Sequence, residues 1–482
     1  MRPLVAAFLI VLSVVVLELP RAGLEITTFD VGATPVTRYA RPGAEGPAVV
    51  IAHGFAGSRQ MMQGYALPLA RAGYRVFAFD FLGHGRNPVP MSGDLTAIEG
   101  TTRLLVDQTA AVIDAIDAGT RPLALLGHSM ATDVLVRVAG GRDDIGPLVL
   151  LSAFSNAIDA ERPETLLTVT GAWEPGLRDA AVEFVRMVDP DAAPSQTVSN
   201  GEVTRRTVIA PYIEHVSILH SRVGRRAALD WLDQVYGRAS DVMLLPTGPA
   251  ILALLAGLVL LFRPVARVLP DRATPAPALR RGQIAVAALL PAVVAPVVAV
   301  PLDPDLLPVL VADYLALHLL VFGLVQLILI RRWGLPWGPL SGRALILVLV
   351  WSGIVGLALD RYAANFWPTA DRVWIAAAMV PGTVCFLMAD AILTRGASLA
   401  RRVALRAGVL ASLGLAVTLD FDDLFFLVMI APVIVLFYLV FGTLGRAASR
   451  RSGPLAAGLA LGLVLAWTLG VSFPLVGTGP LR

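Results

Sequence analysis

The stretch that decides the fold is Leu123-Ala-Leu-Leu-Gly127-His128-Ser129-Met130-Ala131. An apolar run ends in a small residue, a histidine and a serine, and a helix-like pattern follows at once. A strand that turns this sharply into a helix holds a serine Oγ out at the strand's end, an arrangement called a nucleophile elbow. The turn is so tight that positions two before and two after the serine must be small. Gly127 meets that demand, and Ala131 meets it in place of the commoner glycine. On its own, Ser129 reads equally well as an N-cap opening a helix over 130–140. The strand ahead of it and the small flanking residues favour the nucleophile.

The same alternation extends on both sides. Ala48–Ala52, Tyr74–Phe79, Leu123–Leu126, Leu148–Leu151, Leu166–Val169 and Thr207–Ile213 read as strands. Residues 57–72, 97–118, 130–140, 177–188 and 221–236 read as helices. Leu24–Phe29 and Val36–Tyr39 read as a leading hairpin. Strands alternating with helices predict an α/β domain over 22–240 built on a mostly parallel sheet.

The rest of the chain is of another kind. Of its 482 residues 56% are hydrophobic and 16% charged, and the mean hydropathy is +0.71, a balance that calls for membrane spans. An apolar segment at 4–19 lacks a small-x-small cleavage site, so residues 1–21 are expected to form an uncleaved anchor. Residues 241–482 are expected to form an all-α polytopic domain. Its spans lie near 243–262, 283–301, 306–330, 344–359, 373–393, 405–419, 424–444 and 454–473. That makes about nine spans with the anchor.

Loops between the spans alternate in charge. Arginines cluster at 263–281, 331–343, 395–406 and 446–451. Asp303 and Asp305, then Asp360 and Asp371, then Asp420, Asp422 and Asp423 mark the loops between them. Arginine-rich loops stay in the cytoplasm. Residues 22–240 are therefore expected on the periplasmic or extracellular side of a bacterial cell membrane. All 39 basic residues are arginine and the net charge is only +3, so nothing points to nucleic acid. The single cysteine, Cys385, excludes an intrachain disulfide and a cysteine metal site. No cofactor and no metal are expected.

A serine nucleophile needs a base, an orienting acid and donors for the oxyanion. His215 comes first after the last strand run and is preferred as base over His220, at the next helix start. Glu174 lies in the turn after Leu166–Val169 and is preferred as acid over Asp159 and Asp179. The N–H of Met130 and that of Phe55, in the loop His53-Gly54-Phe55-Ala56-Gly57-Ser58, are the expected oxyanion donors. His53 reads as a hydrogen-bonder beneath that loop.

Taken together, His53-Gly54-Phe55, Asp80-Phe-Leu-Gly83-His84-Gly85-Arg86, Gly127–Ala131, Gly171-Ala-Trp-Glu174 and Glu214-His215 resemble the α/β-hydrolase superfamily. The resemblance is closest to bacterial lipase/esterase and serine-aminopeptidase-like members. It covers nearly all of 22–240 and none of the membrane part. It implies the chain order Ser129, Glu174, His215 found in that superfamily. Only Ser152–Thr165 separate two central strands, so no sizeable cap is expected. The expected activity is cleavage of an acyl ester through a Ser129 acyl-enzyme, with a lipid or acylated substrate and the membrane as partners. An acyltransferase of the same chemistry is the alternative, as is a transport or signalling protein whose hydrolase-like domain only binds a ligand. Within the spans, Tyr314 and His318 share a helix face, and with Asp390 they read as interhelical hydrogen-bonders. Asp313 points elsewhere, and Arg361, Trp367 and Trp374 read as interfacial anchors.

Overall fold

The computed structural model describes residues 2–93, 98–116, 119, 122–272, 275–302, 304 and 306–477. Of the sequence readings above, Met1, Ala97, Asp117, Ala118, Asp303, Asp305 and 478–482 lie outside them. The chain divides into two compact units. One comprises 11–252, 359–365 and 474–482; the other comprises 1–10, 253–358 and 366–473.

In chain order the elements are α1 (Arg2–Glu18), β1 (Glu25–Val31), β2 (Thr34–Ala40), β3 (Ala48–Ala52), α2 (Gln63–Arg71), β4 (Arg75–Phe79), α3 (Arg103–Ala115), β5 (Leu123–His128), α4 (Met130–Gly140), β6 (Ile145–Leu151), β7 (Thr165–Gly171), α5 (Pro175–Arg186), β8 (Thr197–Asn200), β9 (Val203–Ala210) and α6 (Arg222–Val235). The nine strands form one sheet in the order β1-β2-β4-β3-β5-β6-β7-β9-β8. The pairs from β4 to β9 are parallel, and antiparallel pairs occur only at its two ends.

Parallel strands covered on both faces read as continuous apolar runs, and β3 and β5 are buried along their whole length. Alternate residues serve opposite faces. Val49 and Ile51 pack with Tyr65 and Leu69 of α2 and Leu229 of α6. Val50 and Ala52 pack with Leu105 of α3, Leu135 of α4 and Phe184 of α5.

The largest departures from the sequence reading in this unit are one displaced strand and one strand not read. The last central strand runs Val203–Ala210 instead of 207–213, because Pro211 lacks an N–H and Tyr212 turns to φ 58. Ahead of it β8 pairs antiparallel around Gly201, at φ 58. Its sequence Thr-Val-Ser-Asn carries too little apolar pattern to be read as a strand. Between β6 and β7, residues 152–164 contain no helix, so no cap is inserted there.

The second unit is helical. Helices lying in it wholly or in their greater part include α7 (Thr247–Val265), α8 (Arg281–Leu302), α9 (Ala312–Arg332), α10 (Gly342–Tyr362), α11 (Ala370–Leu393), α12 (Leu399–Leu419), the single turn α13 (Phe421–Leu424), α14 (Leu427–Ser452) and α15 (Pro454–Ser472). Among the described residues, eight helices are long and apolar enough to cross a membrane, which marks a multi-pass membrane protein. With 17 residues, α1 is shorter than these. The span read at 405–419 starts six residues earlier, where the Ser398 side chain caps the N–H of Arg401. The span read from 306 starts at Ala312, after Pro308 and a turn at Val311 with φ 53. Gly458 and Gly462 of α15 sit one turn apart against α11, and a Cβ at Gly462 would stand 2.6 Å from Val384 Cα. Small residues spaced this way let helix backbones approach.

Candidate active site

Ser129 occupies the junction between β5 and α4, with φ 53 and ψ −120. That backbone region is rare for a residue with a side chain, and it marks local strain. The crowding around the turn explains its small residues. A Cβ on Gly127 would lie 2.6 Å from Leu135 Cδ1 and 3.2 Å from Ala131 Cβ. The Ser129 N–H donates to Leu151 O at 2.9 Å, which ties the turn to the end of β6.

The loop after β9 brings His215 to this serine. His215 Nε2 lies 2.8 Å from Ser129 Oγ, and His215 Nδ1 lies 2.6 Å from Glu174 Oε1. A carboxylate only accepts, so Nδ1 carries the proton and Nε2 faces the serine hydroxyl as acceptor. Glu174, in the turn after β7, is buried, whereas His215 is partly exposed. The other carboxylate oxygen, Oε2, accepts from the Gly171 N–H and the Ser152 hydroxyl, each at 2.8 Å. Burial works to raise the Glu174 pKa. The hydrogen bonds from His215, Gly171 and Ser152 outweigh it and hold the carboxyl below its ordinary value.

His128 supports the base from below. Its Nε2 lies 2.8 Å from the backbone oxygen of His215. Burial, followed by the neighbouring His215, pushes the His128 pKa down to about 4. The ring is therefore neutral near pH 7 and donates its one proton to that carbonyl.

The loop after β3 passes beside the serine. A Cβ at Gly54 would stand 2.9 Å from His128 Nδ1 and 3.0 Å from Ser129 Cβ, so only glycine fits. Buried His53 lies 2.7 Å from Gly54 O through Nδ1, and its Nε2 accepts from the Phe81 N–H at 3.1 Å. The Gly57 N–H also donates to Gly54 O, at 3.0 Å. In a trans peptide the carbonyl and the next N–H point opposite ways. Fixing Gly54 O therefore fixes the direction of the Phe55 N–H. Met130, the first residue of α4, has an N–H with no acceptor within its own helix.

Asp80 anchors that loop. It is fully buried, forms a buried ion pair with Arg59, and accepts from the backbone N–H of Arg59 at 2.7 Å and of Arg86 at 3.0 Å. The same compact unit supplies a second brace from residues 359–365. The Asn365 N–H donates to Ser58 Oγ at 3.0 Å, and its side-chain amide accepts from Arg86 Nε at 3.1 Å. Asp360 pairs with Arg86 at 2.6 Å. Leu475 exchanges backbone hydrogen bonds with Gly83 and Met91 at 2.8 and 2.9 Å.

Residues 44–228 match the family model described as serine aminopeptidase, S33. This part of the chain has an α/β-hydrolase fold. Solved structures similar to it include a CIB-like hydrolase of Thermoplasma acidophilum, at 15% identity over 44% of this chain and 98% of that one, with a TM-score of 0.34. A bacterial membrane phospholipase A is 17% identical over 48% of this chain and 92% of its own, with a TM-score of 0.35. A proline iminopeptidase-related protein of Thermus thermophilus is 16% identical over 44% and 99%, with a TM-score of 0.33. A search of curated proteins finds no match.

Within the α/β hydrolase, the rival residues lie in other settings. Asp159 closes its own turn by accepting from the N–H groups of Glu161 and Arg162, both at 2.8 Å. Asp179 contacts its neighbour Arg178. His220 meets Thr247 Oγ1 at 3.1 Å. Among the described residues no three His, Cys, Asp or Glu side chains are grouped to hold a metal. The sequence reading missed Ser152 and Asn365 and took Asp360 only as a loop charge. Ser152 stands directly after an apolar strand run, and this position was its one visible signal.

Proposed function

We propose that the protein is a membrane-bound serine hydrolase that cleaves an acyl ester, with Ser129 as nucleophile, His215 as base and Glu174 as orienting acid. The observation that carries this reading is the unbroken hydrogen-bonded chain Ser129–His215–Glu174 at 2.8 and 2.6 Å. Ser129 Oγ attacks the acyl carbon while its proton passes to His215 Nε2. The imidazolium keeps its Nδ1 proton on Glu174, which stabilises the charge. The carbonyl oxygen becomes an oxyanion facing the N–H groups of Phe55 and Met130. Its collapse expels the alcohol, which leaves with the His215 proton. Water then attacks the acyl-enzyme, giving its proton to His215, and the acid is released as Ser129 regains a proton.

The surroundings support a lipid or acylated substrate. Phe154, Trp173 and Tyr212 are exposed large side chains on the loops after β6, β7 and β9. Those loops also hold Ser152, Glu174 and His215. Exposed aromatic side chains of this kind suit a lipid–water boundary. A fluorophosphonate probe is expected to label the wild type at Ser129 and to leave Ser129→Ala unlabelled. Labelling that persisted in the variant would remove the assignment.

The hydrolase is assigned to the periplasmic or extracellular face of a bacterial cell membrane. The arginine loops support this. Residues 359–365, with Asp360 of an expected outer loop, also belong to the same unit as the hydrolase. In a Cys385→Ser background, Asp422→Cys should react with an impermeant maleimide on intact cells and Arg272→Cys should not. Both positions are exposed, so the reverse pattern would place the hydrolase in the cytoplasm.

A further inference from the structure

The helical unit holds a narrow cleft between α11, α12, α14 and α15. Arg395, Arg402, Arg406, Arg446 and Arg450 line it. Among the described residues, Asp390 is the only carboxylate in the lining. It is already engaged, holding Arg406 through two hydrogen bonds at 3.0 and 2.8 Å. The Arg406 guanidinium also lies 3.8 Å over the Tyr438 ring. Arg402 and Arg446 donate to neutral oxygens, of Ala397 at 3.0 Å and Thr443 at 2.6 Å. No carboxylate among the described residues pairs with Arg402, Arg446 or Arg450.

The bias that retains arginines in loops accounts for a basic rim. It does not account for Arg406 and Arg446, which stand inside their helices and line the same cleft as Arg402 and Arg450 at the helix ends. Arg406 stands about 10 Å along α12 from its start, and Arg446 about 9 Å before the end of α14, at 1.5 Å per residue. A second, independent feature points to a ligand. Ser449 lines the cleft at 8% exposure, and its buried hydroxyl has no hydrogen-bond partner. Apart from Thr394, whose hydroxyl donates to Asp390 O at 2.7 Å, the remaining wall is apolar, with Gly442, Gly445, Ala457 and Leu461.

We propose that this cleft binds a phosphate-type anion, with Arg402, Arg446 and Arg450 as charge partners and Ser449 as a neutral donor. Guanidinium groups suit such oxygens because their planar forks donate in pairs. Basic pockets between membrane helices hold anionic head groups by the same chemistry. The anion is supplied either by the head group of a membrane lipid or by a free phosphate.

The test uses the full chain in a neutral detergent. Its melting temperature is followed during titration with phosphatidylglycerol, phosphatidylcholine and inorganic phosphate. Phosphatidylglycerol, phosphate or both are expected to raise it, and phosphatidylcholine is not. The rise should vanish in Arg402→Gln/Arg446→Gln/Arg450→Gln and persist in Arg331→Gln/Arg332→Gln, which carries the same kind of charge loss away from the cleft. Should the triple variant not fold, Ser449→Leu fills the cleft with its charges intact and should weaken binding at least tenfold. A response to the lipid alone assigns a head group, and a response to phosphate with the same variant dependence assigns a free anion. No rise above that of phosphatidylcholine, or an equal loss in the Arg331/Arg332 variant, would overturn the proposal.

Discussion

The molecule places a histidine between a serine and a third polar group in two regions, and only one of them has the other parts that nucleophilic chemistry requires. In the hydrolase, His215 bridges Ser129 Oγ and Glu174 at 2.8 and 2.6 Å. Among the spans, His318 bridges Ser412 Oγ and the Tyr314 hydroxyl, both at 2.9 Å. The ring-to-hydroxyl distances are nearly equal, so distance does not separate the two. The third group does: Glu174 supplies a negative charge that stabilises an imidazolium, whereas a tyrosine hydroxyl supplies only a dipole. The serine backbone separates them too. Ser129 is held at φ 53 with a helix N-terminus beside it, but Ser412 lies inside α12, where its own N–H belongs to the helix ladder. Access is the last difference. His215 is partly exposed, while His318 and Ser412 are fully buried. Charge, strain and access thus separate the proposed nucleophile from a Ser–His contact that joins two helices.

The sharpest way to break this comparison is to remove the parts that only the first region has. His215→Ala is expected to lower kcat on the order of 10³-fold or more, and Glu174→Ala by a smaller factor, with KM little changed. Ser152→Ala removes one of the hydrogen bonds on the Glu174 carboxylate, worth about 1.5 kcal/mol, and is expected to cost roughly tenfold. Steady-state kinetics on an ester substrate would check all three. A near-neutral Glu174→Ala beside a damaged Asp159→Ala would transfer the acid role to Asp159.

A smaller effect follows from protonation. Burial holds His128 at about 4, against an ordinary 6.5, and His220 likewise at about 4. The unfolded chain takes up these protons near pH 6.5, and the folded one does not until about 4. Between those values the unfolded state binds more protons, so stability falls as pH falls. It is fully present above pH 6.5. Glu174 acts in the same sense at lower pH, because its depressed carboxyl loses its stabilising charge only as pH drops through the folded value. The melting temperature of the hydrolase unit should therefore decline from pH 6.5 to 4, and His128→Gln should make that decline shallower. Equal slopes would mean that His128 does not contribute.

How much of this was legible from the sequence depends on how far apart the interacting residues lie along the chain. Ser129 announces itself locally, because Leu123–Leu126, Gly127 and Ala131 are all within reach of one turn. The parallel sheet was legible in its buried central strands, where apolar residues run without a break, and β8 was not, because it is a short polar edge. Glu174 and His215 were singled out by their places after strand runs, and the structure joins His215 to Ser129 and Glu174 to His215. Ser152 and Asn365 were not found. Ser152 reaches Glu174 only because β6 and β7 are adjacent, and Asn365 reaches Ser58 across 307 positions. Neither contact leaves a local pattern. The same limit governs the spans: Tyr314 and His318 are one turn apart and visible together, while Ser412 comes from another helix.

Ser412→Ala gives the smallest expected change and tests the second half of the comparison. The substitution removes one hydrogen bond between α9 and α12 and leaves the hydrolase untouched. Hydrogen bonds of this kind between membrane helices contribute on average only about 0.6 kcal/mol, because each partner finds another acceptor when the helices separate. His318 keeps its bond to Tyr314, which lowers the cost further. The melting temperature in detergent should fall by a degree or two at most, a slope set by roughly 2–4 °C per kcal/mol for a unit of this size. Ester turnover and fluorophosphonate labelling should match the wild type, since the label reports on Ser129 alone. If Ser412→Ala lowered turnover as His215→Ala does, the membrane pair would be acting in the reaction, and the requirement for charge, strain and access would have to be abandoned.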